Sequence, residues 1–170
     1  MKEMQVIFLL VLVAAAALQD LYCGRISNGI ICTGIIWGAA YQIMRQGIFG
    51  MVLWMGGCLL PVLLFGGLYY FRMIGAGDIK LLCAVGSFVG PLSCFFCIIF
   101  SILFGGLISL AVMLHHHNFC QRLFCFSEYI EHYSREKIWR SYTANVGADG
   151  KFCFSVPVLF AVLCYIGGIF

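Results

Sequence analysis

The sequence predicts an all-α protein, a polytopic membrane helical bundle of about six transmembrane helices. Three observations carry that expectation. Of 170 residues, 63% are hydrophobic and 10% charged, with a mean hydropathy of +1.02, whereas soluble domains average roughly 45–50% apolar and about 25% charged. The few charges are spaced so that they divide the chain into long uncharged intervals. Most of those intervals match a bilayer, whose crossing takes ~20 mostly apolar residues within a range of roughly 17–25. This composition excludes a disordered chain, a soluble enzyme with a wet surface and a nucleic-acid binder with a basic face. The net charge of +3 is too small to name a polyanionic partner.

The uncharged intervals are Met4–Gln19, Ile26–Met44, Gln46–Phe71, Leu81–Gln121 and Phe152–Phe170. The second, third and last each fit one span. The first is short unless Asp20 lies at or just inside the boundary. Lys2 and the alanines at 14–17 give it the look of a signal peptide, but the thin charge flank and the following Asp20 argue that it is kept. The fourth interval, 41 residues long, is just long enough for two spans. Gly90-Pro91 divides it, because proline disfavours a helical residue before it and suits a helix start. One helix then enters around Met73–Ile79 and ends near Val89, and the next runs from Leu92 to Leu114. The whole chain, 1–170, reads as one transmembrane domain with a polar loop at 115–151.

Cysteines number ten. Cys32, Cys58, Cys83, Cys94, Cys97 and Cys164 lie in apolar stretches, where a free thiol packs as a small hydrophobe. Cys94 and Cys97 form one C-x-x-C without a second pair, short of the four ligands of a structural zinc site. Consecutive His115, His116 and His117 point in different directions on a helix and read as interfacial anchors. No metal and no cofactor is expected. Tyr129, Tyr133, Trp139 and Tyr142 suit a membrane-surface segment, where basic residues meet anionic lipid headgroups.

Parity orders the charges. Two spans separate Asp20 from Asp78 and two more separate Asp78 from the polar loop, so all three share one face. That face collects Arg25, Arg72, Lys80, Arg122, Arg135, Lys137, Arg140 and Lys151, and the other has only Lys2 and Arg45. The positive-inside rule makes the richer face cytoplasmic and places both termini outside. Localisation in the cytoplasmic membrane follows as an expectation.

Among the seven carboxylates, only Asp20 and Asp78 join apolar helices directly. An ionisable group at membrane depth costs at least ~2.5–3.5 kcal/mol on insertion scales and is a functional candidate by default. Two carboxylates in one poorly hydrated site do not ionise together easily, so one keeps its proton. An acid and a base around one water is the arrangement that hydrolyses amides in aspartic proteases. The competing reading is structural, with Asp20 capping a helix end and Asp78 serving as N-cap of the helix at Ile79. Gly75 and Gly77, just before Asp78, admit close backbone approach and positive φ, which suits an extended substrate passing beside the acid.

Gly75-Ala76-Gly77-Asp78-Ile79-Lys80-Leu81-Leu82 resembles the G-x-G-D-x-K-L-L signature of type IV prepilin peptidases, intramembrane aspartic proteases of the GxGD class. Asp20-Leu21-Tyr22-Cys23-Gly24-Arg25-Ile26-Ser27-Asn28 is similar to their first-aspartate motif, with Ser27 where the pattern has proline. Phe154-Ser155-Val156-Pro157 resembles the start of the family's last span. The resemblance implies that the catalytic pair is Asp20 and Asp78, that Gly75 and Gly77 shape the active-site segment, and that Lys80 and Asn28 are motif positions. Lys80 then either pairs with or steers Asp78, or snorkels to headgroups.

The reaction so implied is removal of a short basic leader from prepilin or pseudopilin precursors at the cytoplasmic boundary. Its partners are those precursors and membrane lipid. The methyl-transferring relatives carry an extra segment with paired C-x-x-C motifs, which this sequence lacks between its first spans, so it resembles the small, peptidase-only Tad-type or archaeal-type members. Alternatives are a preflagellin or other pseudopilin leader peptidase, and a small ion-coupled transporter using the same acids. The sequence leaves the precursor, its cut site and the oligomeric state open.

Overall fold

A computed structural model describes residues 2–70, 74–115 and 153–168. Within them the chain forms six helices and no strand: α1 (Lys2–Cys23), α2 (Asn28–Gln46), α3 (Ile48–Tyr70), α4 (Ala76–Val89), α5 (Pro91–His115) and α6 (Ser155–Ile166). The polar stretch after His115, including the other histidines and the aromatic residues named above, lies outside the described residues.

Local chemistry explains the helix boundaries. α1 stops where Gly24 adopts φ +61° and its N–H reaches the Asp20 carbonyl at 2.8 Å, a left-handed closure that glycine makes without a Cβ penalty. Ser27 is the N-cap of α2, its side chain accepting from Gly29 N at 3.3 Å. The break at Gly90-Pro91 falls where the sequence places it. Gly90 takes φ +82° and closes α4 on the Gly86 carbonyl at 2.9 Å, and Pro91 opens α5, a position where its missing N–H costs nothing.

The helices differ in length, and the difference matters for the expected six spans. Three helices, α1, α3 and α5, are long and apolar enough to cross a membrane. With 22, 23 and 25 residues they measure about 33–38 Å at ~1.5 Å per residue, more than the ~30 Å hydrocarbon core. α4 has 14 residues and α6 has 12, about 21 and 18 Å. The protein is therefore a membrane helical bundle in which three of the described helices combine spanning length with the apolarity of a crossing, and α2, with 19 residues, has the length alone.

α4 can be short because it is enclosed. Every residue from Leu81 to Phe88 is buried, and α4 packs on α1, α2, α3 and α6. Lipid tails offer no hydrophobic incentive for helices to associate, so membrane helices meet through small residues that let backbones approach. Gly34 and Gly38 of α2, four residues apart, face Ala84 and Ser87 of α4. Gly57 of α3 and Gly86 of α4 meet backbone to backbone, and a Cβ on either would run into the other's carbonyl.

Leu9, Leu12, Val13, Val158 and Val162 complete the core from α1 and α6. Cys83, Cys94 and Cys97 are buried in it as free thiols, Cys94 lying against Gly86. Cys32, also on an apolar helix, is exposed. Outward-facing side chains such as Trp37, Phe49, Leu63 and Leu103 form the apolar exterior that a bilayer covers.

The two ends of α4 are both polar. At its C-terminal end the Phe88 carbonyl, lacking an intrahelical partner, accepts from Gln5 Nε2 at 2.8 Å and from Gln42 Nε2 at 3.1 Å. At its N-terminal end lies the GxGD segment.

Replacing Gly57 by Leu is expected to wedge α3 from α4 and lower stability by about 1–3 kcal/mol, the usual cost of overpacking. The check is a fall in thermal midpoint of the detergent-solubilised protein. Gly66→Ala, where a Cβ meets nothing within 4 Å, should leave that midpoint unchanged or raise it.

Candidate active site

Four chain segments converge at one end of the bundle: the last turn of α1, the first turn of α2, the first turn of α4 and the first turn of α6. Asp20 comes from α1. Its Oδ2 accepts a hydrogen bond from Ser155 Oγ at 2.5 Å, across 135 residues of sequence. Ser155 opens α6 and is completely buried. The Asp20 main chain is held as well, its carbonyl accepting from Gly24 N at 2.8 Å. Asp20 remains half-buried, so its carboxylate is fixed on one side and open on another.

Asp78 sits in the first turn of α4, but not as its N-cap. Gly75 occupies that position, and Asp78 is the third helical residue. Its carboxylate takes a hydrogen bond from the Gly75 backbone N–H, a reach back from N3 to N-cap of the kind seen in a capping box. A Cβ on Gly75 would lie 3.1 Å from Asp78 Oδ2, closer than ordinary packing.

Gly75 thus acts through space rather than through φ. It has φ −72°, and neither it nor Gly77 is among the positive-φ glycines, contrary to what the sequence invites. A Cβ added at Gly77 would meet the Ile26 side chain at 3.7 Å, an ordinary contact. Gly75 is exposed and extended, with ψ 143°.

The charges of Asp20 and Asp78 interact, so residues 58 positions apart share one electrostatic site. The other two motif positions also meet. Lys80 Nζ donates to Asn28 Oδ1 at 3.0 Å, joining the first turn of α4 to the first residue of α2. The hydrogen bond of Lys80 therefore goes to Asn28, where the sequence raised Asp78 as its partner. Both side chains are exposed.

Two contributors escaped the sequence reading. Ser155 is one, and its only signal was a hydroxyl placed two residues before a proline at the head of an apolar segment. Gln19 is the other. Its Oε1 accepts from the Ser27 backbone N–H at 2.8 Å, tying the entry of α2 to the residue beside Asp20. The departure from proline at Ser27 is thus coupled to the acid's neighbour.

Among the described residues, no three His, Cys, Asp or Glu side chains are grouped to hold a metal ion. What the site offers is a pair of carboxylates, one anchored by a hydroxyl and the other by a backbone amide, beside the exposed start of α4 at Gly75 and Ala76. Two such groups can pass a proton each way across a bound water.

No curated protein and no solved structure matches the chain. The model of the type IV leader peptidase family matches residues 7–110, a stretch that holds Asp20, Asn28, the glycine motif and Lys80 but ends before Ser155. This chain, a membrane helical bundle with both motifs at one end, belongs to the type IV leader peptidase family.

Proposed function

We propose that the protein is an aspartic endopeptidase that removes the short basic leader from type IV prepilin-like precursors, with Asp20 and Asp78 as its catalytic pair. The observation that carries this reading is that the segments bearing the two aspartates lie at one end of the bundle, with the two charges within electrostatic reach of each other. One carboxylate, ionised, takes a proton from water as the oxygen attacks the scissile carbonyl carbon. The other, protonated, gives its proton to the carbonyl oxygen. Collapse of the resulting diol then returns a proton to the leaving nitrogen, and the C–N bond breaks.

Side-chain anchoring sets the geometry. Ser155 engages Oδ2 of Asp20, which leaves Oδ1 for water. The Gly75 amide holds the Asp78 carboxylate. The exposed strip at Gly75 and Ala76 is where an extended leader junction would lie, and the Lys80–Asn28 bond ties together the two motif segments on either side. In this reading the site faces the cytoplasm from the cytoplasmic membrane, both termini are outside, and 115–151 is a polar cytoplasmic loop of the single peptidase domain. A precursor with its apolar segment in the bilayer presents its leader junction at that same boundary.

Asp20→Asn and Asp78→Asn should each abolish leader release, a loss of at least ~10²–10⁴-fold as for removal of a general acid or base, with membrane insertion intact. The assay is the gel shift of a co-expressed precursor and mass spectrometry of its new N-terminus. Full processing by either variant would overturn the proposal.

Ser155→Ala should lower kcat by about 10–100-fold, the loss of a hydrogen bond to a charged group, with KM little changed. Ser155→Thr, which keeps the hydroxyl, should recover much of it. A variant with unaltered kcat would remove Ser155 from the site.

Gly75→Ala pushes a methyl against Asp78 Oδ2. It should cut turnover more than Gly77→Ala, whose added atom meets Ile26 at ordinary contact distances of 3.7–3.9 Å. Equal activities in the same precursor assay would contradict the spatial role given to Gly75.

A further inference from the structure

The end of the bundle opposite the aspartates carries a second polar site. A cavity of about 140 Å³ opens there between the C-terminal ends of α2 and α4 and the first residues of α5, with Gln5, Gln42, Arg45, Gln46 and Tyr165 among its lining. None of these residues takes part in the chemistry above.

Gln42 is 3% exposed. Its amide orientation is fixed, because Nε2 donates to the Phe88 carbonyl. That leaves Oε1 buried and without a hydrogen-bond partner, a costly state for a polar atom in a low-dielectric interior. Tyr41, one residue earlier, has a buried and unpartnered hydroxyl as well. Arg45, one turn further along α2, brings a permanent cation to the same cavity, with donors suited to phosphate oxygens. The Tyr165 hydroxyl, hydrogen-bonded with Ser93, lies within electrostatic reach of Arg45 and Tyr41.

A ligand that satisfies this set carries an anion for Arg45 and a hydrogen-bond donor for Gln42 Oε1. At the end of a membrane bundle, a phospholipid whose headgroup joins a phosphate to a primary ammonium offers both, and its charged N–H groups are stronger donors to a buried carbonyl oxygen than a neutral hydroxyl. We propose that this cavity is a binding site for an aminophospholipid headgroup, with the phosphate on Arg45 and the ammonium on the carbonyl oxygen of Gln42. Both ends of the buried helix α4 then abut polar sites, one carrying the aspartates and the other a lipid.

The test is native mass spectrometry of the full chain released from detergent, after delipidation and addition of lipids with matched acyl chains. Phosphatidylethanolamine, which has both groups, should be retained about tenfold better than phosphatidylcholine, whose nitrogen has no N–H, and than phosphatidylglycerol, which lacks the ammonium. Arg45→Gln should lower retention of all three lipids, whose phosphate is common to them. Equal retention of the ethanolamine and choline lipids would overturn the pairing with Gln42, and unchanged ethanolamine retention in Arg45→Gln would overturn the phosphate contact. Displacement of the lipid by millimolar inorganic phosphate would identify a free-anion site and overturn the headgroup assignment. The lipid series on the unmodified protein decides the matter even if the variant fails to fold. Its outcome is independent of whether Asp20 and Asp78 cleave a peptide bond.

Discussion

Backbone-close packing of α4 is the constraint on which the rest of the molecule depends. A helix too short to cross the hydrocarbon has polar ends that the bilayer core does not accommodate, so it must be sheltered by protein. Gly34, Gly38, Gly57 and Gly86 make that shelter, because their missing side chains let α2 and α3 approach α4 at contact distance. Everything chemical then follows from where α4 begins and ends. Its first turn carries Asp78 to the other three converging segments, and near its other end the Phe88 carbonyl accepts from both Gln5 and Gln42.

The aspartates are held in different ways, and the difference follows from their places on their helices. Asp20 lies near a C-terminus, where main-chain amides are already spent within the helix, so its carboxylate is fixed by a side chain from another helix. Asp78 lies in a first turn, where amides are free, and a backbone N–H from its own motif serves. The glycine at the N-cap is what lets that amide come close, since a Cβ there would crowd the carboxylate. The first acid therefore depends on tertiary packing of α6, and the second depends mainly on local sequence.

That contrast also explains what the sequence disclosed. Helix boundaries marked by Gly90-Pro91 and by the charges were readable, because proline, glycine and charge act within a few residues. Asp20 and Asp78 stood out because acids joined to apolar helices are rare. The sequence reads α4 and α6 as crossings, and the structure gives them 14 and 12 residues, lengths that are set by glycine and by neighbours far away in sequence. Ser155, Gln19 and the Lys80–Asn28 pair were hidden for the same reason, as each acts through a contact between helices. The conformation of the glycine motif was misread locally, because glycine permits both positive φ and close approach, and only coordinates separate the two uses.

The Ser27–Gln19 hydrogen bond has a corollary. A proline at the entry of α2 stiffens the backbone by its ring but has no N–H to give, whereas serine keeps the N–H and needs an acceptor. The two solutions exclude each other at this position. A proline at position 27 would thus leave Gln19 Oε1 without this donor, so the hold on the residue beside the first aspartate hinges on a residue eight places downstream.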